Sequence, residues 1–289
     1  MSFVKRQINL QFSGAESGNV NLEGLRCHAI VFNPGGDNAV AQLTLKVYGM
    51  TLDQMNAYSA EGSNLLESKK YSVTVLAGDE GNTLLQVFSG YITSSYIDFS
   101  SAPDVSFDCV ASSGFFEQIV PVAPNSYQGI QKAEDIIKSL TESMGPPWSF
   151  QNYNNNAHAV IYNQYLSGSI IDQIFTIAKA ACFPIKIENN TVYIWPNGNN
   201  VDGVVIDVSA ETGLVGYPTY ITCGFAIKTQ FNAAIANGRK IKLKSVIIKA
   251  NGMWSVHVVT HELSTLMPDG PWFTNCNLNK EGSDYVARN

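Results

Sequence analysis

The sequence predicts a mainly β protein with an α+β insert. Three observations carry this. Apolar residues alternate with polar ones through much of residues 1–118, they recur at helical spacing in the middle of the chain, and alternation returns from about residue 201. The 289 residues therefore divide into an N-terminal β part (1–118), an α+β part (119–200) and a C-terminal β part (201–289).

The first part reads as a meander with one helical excursion. LRCHAIVFN alternates at Leu25, Cys27, Ala29 and Val31, and AQLTLKVYGM at Leu43, Leu45 and Val47. The turn formers Asn33-Pro34-Gly35-Gly36-Asp37 separate them. TLDQMNAYSAEG suits a short helix with Thr51 as its N-cap. YSVTVLAG, the turn Asp79-Glu80-Gly81-Asn82 and LLQVFSGYITSSYIDF continue the strands.

The pattern changes near Pro121. Ala133, Ile136, Ile137, Leu140 and Met144 form one helical face, which Gly145-Pro146-Pro147 ends. QNYNNNAHAVIYN reads as a loop with a short strand at its end. A second helix starts near Ser169 and turns Ile170, Ile171, Ile174, Phe175, Ala178 and Ala181 inward. FPIKIENNTVYIWP is a hairpin, because Asn189-Asn190 tolerate the positive φ of a tight turn. In the last part, RKIKLKSVIIK places Lys240, Lys242 and Lys244 on one strand face and Ile241, Leu243 and Ser245 on the other. That stripe is either a solvated strand face or a contact for phosphate or an acidic partner. WSVHVVTHEL alternates at Trp254, Val256, Val258 and Thr260, after the turn signal Asn251-Gly252.

Composition narrows the function. Hydrophobic residues make up 45% of the chain, enough for a sizeable core, while charged residues are only 15% against about 25% in an average domain. So little charge predicts a surface covered in part by other protein. The net charge of −6 is unsuited to coating nucleic acid, and no apolar run reaches a membrane span. No secretory leader is expected from MSFVKRQINLQFSG. Cys27, Cys109, Cys182, Cys223 and Cys276 form no CxxC pair and are read as reduced core cysteines.

His257 and His261 have the i, i+4 spacing of zinc-binding helices. Yet SVHVVTH is β-branched and alternating, and strand positions four apart lie roughly 13 Å from each other. One metal cannot reach both at about 2.1 Å. The two are read instead as polar positions on a half-exposed strand. Glu134-Asp135 are read as a solvated helix face rather than an acid–base pair. No phosphate-loop, dinucleotide or nucleophile-elbow motif is present. The sequence thus points to no enzyme, metal or cofactor. A carbohydrate-binding module, with 13 Tyr and 4 Trp, is a separate alternative.

Five stretches together resemble the baseplate hub proteins of bacteriophage tails, relatives of the contractile-tail hub and of D-type tail proteins. They are LKVYGMTLDQMNAYS, VFSGYITSSYIDFSSAPDVSFDC, GSIIDQIFTIAKAACFPIKIENNTVYIWP, TGLVGYPTYITCGFAIKTQFNAAIANGRKIKLKS and WSVHVVTHELSTLMPDGPWFT. The last is the most specific, and it makes His261 part of a fold signature. The resemblance implies two tail-tube-like β-barrel domains flanking the α+β domain. It also implies a homotrimer that joins the hexameric tail tube to the trimeric central spike, contacts other baseplate proteins and lets genomic DNA pass without specific binding. The implied location is the virion tail baseplate, assembled in the host cytoplasm. Alternatives are another tail-tip component, such as a distal tail protein or a secretion-spike base, or a wall-degrading tail enzyme. The chain ends at GSDYVARN, so no fused spike is expected.

Overall fold

A computed structural model describes residues 5–16, 18–36, 40–59 and 70–280. Asp37 of the first predicted turn, the Ala60-Glu61-Gly62 end of the predicted helical excursion and the C-terminal GSDYVARN lie outside the described residues. The N-terminal strands are β1 (Arg6–Ser13), β2 (Val20–Glu23), β3 (Cys27–Asn33) and β4 (Gln42–Tyr48), followed by helix α1 (Leu52–Tyr58). Then come β5 (Ser72–Asp79), β6 (Leu85–Asp98), β7 (Ser106–Ser112) and α2 (Phe115–Ile119). The middle part holds β8 (Asn125–Lys132), α3 (Ala133–Ser143), β9 (Ser149–Asn152), β10 (Val160–Leu166), α4 (Ile170–Ala180), β11 (Ile185–Glu188) and β12 (Thr191–Ile194). The last part holds β13 (Val205–Val208), β14 (Leu214–Ile221), β15 (Gly224–Gln230), β16 (Lys240–Leu243), β17 (Gly252–Thr265) and β18 (Trp272–Lys280).

Among the described residues the fold is mainly β with four α-helices. Its strands do not divide into two separately closed barrels. Thirteen of them form one sheet whose path runs β14-β15-β18-β17-β3-β4-β7-β6-β5-β1-β2, with β16 pairing β17 and β13 pairing β16. The connection is β17, whose residues Val259–Thr265 pair antiparallel with Asn33–Cys27 of β3 while its other edge pairs β18. Among the described residues no ladder joins β2 to β13 or β14, so the sheet has open ends.

Local chemistry explains where the elements begin and turn. Thr51 caps α1 and Ser169 caps α4, each in a reciprocal capping box, with Gln54 and Asp172. Gly145 at φ +73° ends the helix of α3, as a left-handed residue there requires. Asn189 and Asn190 both adopt positive φ, which gives the β11–β12 hairpin its tight turn.

The buried hydrophobics form three clusters. One fills β1–β7 around Phe12, Tyr58 and Phe107, and it takes in Leu263 and Trp272 from the end of the chain. The second packs α3 and α4 on the β11-β12-β9 sheet. The third lies among β13–β18, around Phe225, Ile241 and Leu278.

In β17, the predicted alternation through Val258 and Thr260 fails. Val256 is paired with Leu278 and Val258 with Asn277, so His257 is the extra residue of a β-bulge. The bulge reverses the facing of everything after it. Val256 is inward, but Val259, His261 and Leu263 are the next inward residues. Gly35 fits against this bulge, since a Cβ there would overlap the carbonyl oxygen of His257. Asn251-Gly252 is also not a two-residue hairpin. Residues 244–251 make a longer loop, closed by the Ser245 N–H donating to Asn251 Oδ1 at 2.6 Å.

Candidate assembly surface

Side chains from the three parts of the chain meet at a polar knot around Glu188. Lys186 and Glu188 lie two apart on β11, so both side chains leave the same side of the strand. Lys186 Nζ donates to Glu188 Oε2 at 3.0 Å, and Asn33 Nδ2 of β3 donates to Glu188 Oε1 at 3.2 Å. A bridge between Val40 and Ile187 ties the same strand to the β3–β4 connection. Burial pushes the Glu188 carboxyl up. The Lys186 ammonium, aided by His261 and Arg239, outweighs burial and holds it below the usual carboxylate range.

His261 belongs to this region. It is 3% exposed, which corrects the expectation of a half-exposed position; the bulge at His257 turned it inward. Its Nδ1 lies 2.9 Å from Thr274 Oγ1, which also accepts from the Asn232 N–H. Burial drives its pKa down to about 4 against an opposing pull from Glu188. His257 is also lowered by burial. Among the described residues, no group of three or more His, Cys, Asp or Glu side chains is placed to hold a metal ion.

Two more expectations need correction. Glu134 is buried at 7% exposure, not solvated, although Asp135 beside it is exposed. His158 Nδ1 bonds Glu134 Oε1 at 2.8 Å, and the Ala159 N–H donates to Oε2 at 3.2 Å. Burial raises this carboxyl, but those hydrogen bonds prevail and lower it. Of the cysteines, Cys27, Cys109 and Cys276 are buried, whereas Cys182 and Cys223 are exposed. Cys182 sits at φ +55° just past the α4 terminus, a place set by helix termination that its apolar neighbours in sequence do not reveal.

The outer surface carries the remaining candidates. Lys240 and Lys242 lie on β16, half-buried and exposed respectively, and Lys244 just beyond it is exposed. Ile241 and Leu243 are buried on the opposite face, but Ser245 lies past the strand end. The outward alternation continues through Val246, 77% exposed, and Ile248, 84% exposed, which sequence reading missed because both look like core residues. A second exposed apolar patch lies on the β8–β10 ribbon, at Ile130, Val160, Tyr162 and Tyr165. A cavity of about 230 Å³ near Glu23, Glu80 and Leu266 is smaller than the roughly 300–1,000 Å³ of small-molecule sites.

Comparison with known proteins places this architecture. The family model described as "Baseplate hub gp41" matches residues 29–271. No curated protein sequence matches the chain significantly. Among solved structures, the tail protein from Neisseria meningitidis MC58 superposes with a TM-score of 0.67 at 8% identity, covering 97% of this chain and 98% of that one. The 43 kDa tail protein of prophage MuSo2 from Shewanella oneidensis gives 0.62 at 7% identity, with 97% and 100% covered. The E. coli c3393 protein, described as a type VI secretion component similar in structure to T4 tail proteins gp27 and gp5, gives 0.59 at 10% identity. There 97% of this chain and 79% of that one are covered. At these identities the structural likeness establishes the fold alone.

Proposed function

The chain belongs to the Baseplate hub gp41 family, and from that premise we propose that it works as a homotrimeric hub at the tail tip. In this reading it joins the hexameric tail tube to the trimeric central spike, contacts other baseplate proteins and forms part of the DNA conduit. It acts in the virion baseplate after assembly in the host cytoplasm. Its role is structural, and its mechanism is geometric. Two similar β units per subunit, three times over, present an approximate sixfold face to the tube and a threefold face to the spike.

The observation that carries the reading is the family match over residues 29–271. The fold supports it. Residues 1–118 and 201–289 are proposed as the two tube-like units, each with a fourteen-residue bulged strand, β6 and β17, and 119–200 as the α+β domain between them. Barrel closure in this reading comes from neighbouring subunits, since the sheet of one chain has open ends. The net charge of −6 suits a channel that passes DNA without holding it. Lys240, Lys242 and Lys244 are proposed as a partner-contact stripe.

The test is the mass and shape of the purified chain, alone and co-expressed with the tube and spike proteins, by light scattering and negative-stain imaging. A three-subunit ring with a central hole is expected. A monomer under all these conditions overturns the ring. The likeness to the E. coli secretion component favours one other reading, the base of a secretion spike. Finding the chain by mass spectrometry in purified phage particles separates the two. A muralytic assay addresses the wall-degrading alternative.

A further inference from the structure

The chain holds three Asn-Gly pairs, Asn197-Gly198, Asn237-Gly238 and Asn251-Gly252. Such a pair carries its own electrophile and its own nucleophile. The carboxamide carbon Cγ and the next residue's backbone nitrogen are the ends of a five-membered ring, and glycine has no Cβ to obstruct their approach. Whether the ring closes depends on what the fold does with that nitrogen.

Two of the pairs are held. Asn237 is 6% exposed, and its Nδ2 donates to the Pro34 carbonyl at 2.9 Å. The Gly238 N–H, whose nitrogen would have to attack, donates to the Val256 carbonyl at 3.0 Å. At the third pair in the sequence, Asn251 Oδ1 accepts from the Ser245 N–H at 2.6 Å, and Gly252 starts β17 in register with Leu243 of β16. Closing either ring requires local opening first.

Asn197-Gly198 differs. Asn197 is exposed and lies outside any strand or helix, in a turn that the Asn199 N–H closes on the Pro196 carbonyl at 3.1 Å. Gly198 takes φ +79°, at the turn position that requires a positive φ. Among the described residues the Gly198 N–H donates no hydrogen bond. Trp195 before the turn is buried, and the Val201 N–H after it donates to the Gly238 carbonyl at 2.8 Å. The turn is thus an exposed stretch between two anchored residues, in the connection from the α+β part to the last β part.

We propose that Asn197 is a site of spontaneous deamidation in the folded chain. The Gly198 nitrogen gives its proton to a solvent base and bonds to Asn197 Cγ. The Cγ–Nδ2 bond breaks, ammonia leaves, and a succinimide remains. Water then opens the ring, at Cγ to give aspartate or at the main-chain carbonyl to give isoaspartate. One water is consumed and one ammonia released, with no oxidant or other co-reactant. Both products place a new negative charge in the turn, and isoaspartate also lengthens the main chain by one methylene between the two anchors.

The test incubates the full chain, native and in urea, at neutral and at mildly alkaline pH. Peptide mapping by mass spectrometry reads the replacement of NH2 by OH at each Asn-Gly pair, and labelling with an isoaspartyl methyltransferase reads isoaspartate. In the native chain Asn197 should convert at least about tenfold faster than Asn237 and Asn251, and faster at the higher pH, while in urea the three rates converge. Asn197→Gln, a change at an exposed side chain, should abolish the methyltransferase label in this peptide. A native rate at Asn197 no greater than at the other two pairs overturns the proposal. So does an Asn197 that stays intact in the native chain and converts only in urea, because the turn would then shield it.

Discussion

Acid should destabilise this protein chiefly through His261. The ring is 3% exposed and its pKa is pushed down to about 4, from 6.5 in an open chain. Between those values the unfolded state binds a proton that the folded state refuses. Stability is therefore fully present above pH 6.5 and drains away as pH falls to about 4. The interval corresponds to about 3 kcal/mol. His261→Gln removes the titration yet keeps a group able to bond Thr274 Oγ1, which His261 Nδ1 reaches at 2.9 Å. The assay is the urea midpoint by tryptophan fluorescence at pH 7, 5.5 and 4.5; Trp254 lies on the same strand as His261, and Trp272 opens its partner β18. The wild type should lose most of those roughly 3 kcal/mol across the series, and the variant should follow a clearly flatter line. His257, also lowered by burial, leaves a residual slope in both. Parallel lines for the two proteins would refute the reasoning, because the acid sensitivity would then lie elsewhere.

Glu188→Ala strands Lys186 beside an emptied site and should cost about 3–5 kcal/mol in chemical denaturation, whereas Glu188→Met/Lys186→Met should fall within about 2 kcal/mol of the wild type. Equal losses in the two would show that the charges are not desolvated. Phe12→Ala opens a cavity between Tyr58 and Phe107, whose ring centroids lie 5.3 and 5.9 Å away, and should lower stability by about 3–5 kcal/mol in the same assay. Gly35→Ala drives a methyl group into the His257 carbonyl; faster hydrogen exchange at residues 256–260 is the expected result, and unchanged exchange would show that the loop moves aside without consequence. In the native protein iodoacetamide should label Cys182 and Cys223 and spare Cys109 and Cys276, whose thiols burial pushes up to about 12; labelling of all at one rate would contradict the described core.

Much of the local structure was legible in the residues. Thr51 and Ser169 announced their helices, and Asn189-Asn190 their hairpin, because capping and positive-φ turns depend on chemistry within a few residues. The alternation at Cys27, Ala29 and Val31, and at Leu43, Leu45 and Val47, identified buried faces correctly. β1 and β7 carry the same alternation, at Ile8, Leu10 and Phe12 and at Phe107, Cys109 and Ala111, although the sequence reading did not use it, whereas β8, NSYQGIQK, buries almost nothing, so no apolar period marks it.

The sequence by itself determined the class of the fold, its local punctuation and, through five stretches, its family. Those signals are short-range, or depend on which side chains a strand or helix turns inward. Only the tertiary structure decided the facing of His261, the burial of Glu134 and the joining of the β parts through β17. A one-residue bulge at His257 reverses a strand's faces, and nothing in SVHVVTH marks it; it exists because β18, β3 and Gly35 meet there. Exposure is likewise a property of what is absent from a neighbourhood. Val246 and Ile248 read as core in the chain and stand in water in the fold, because none of the described residues covers them.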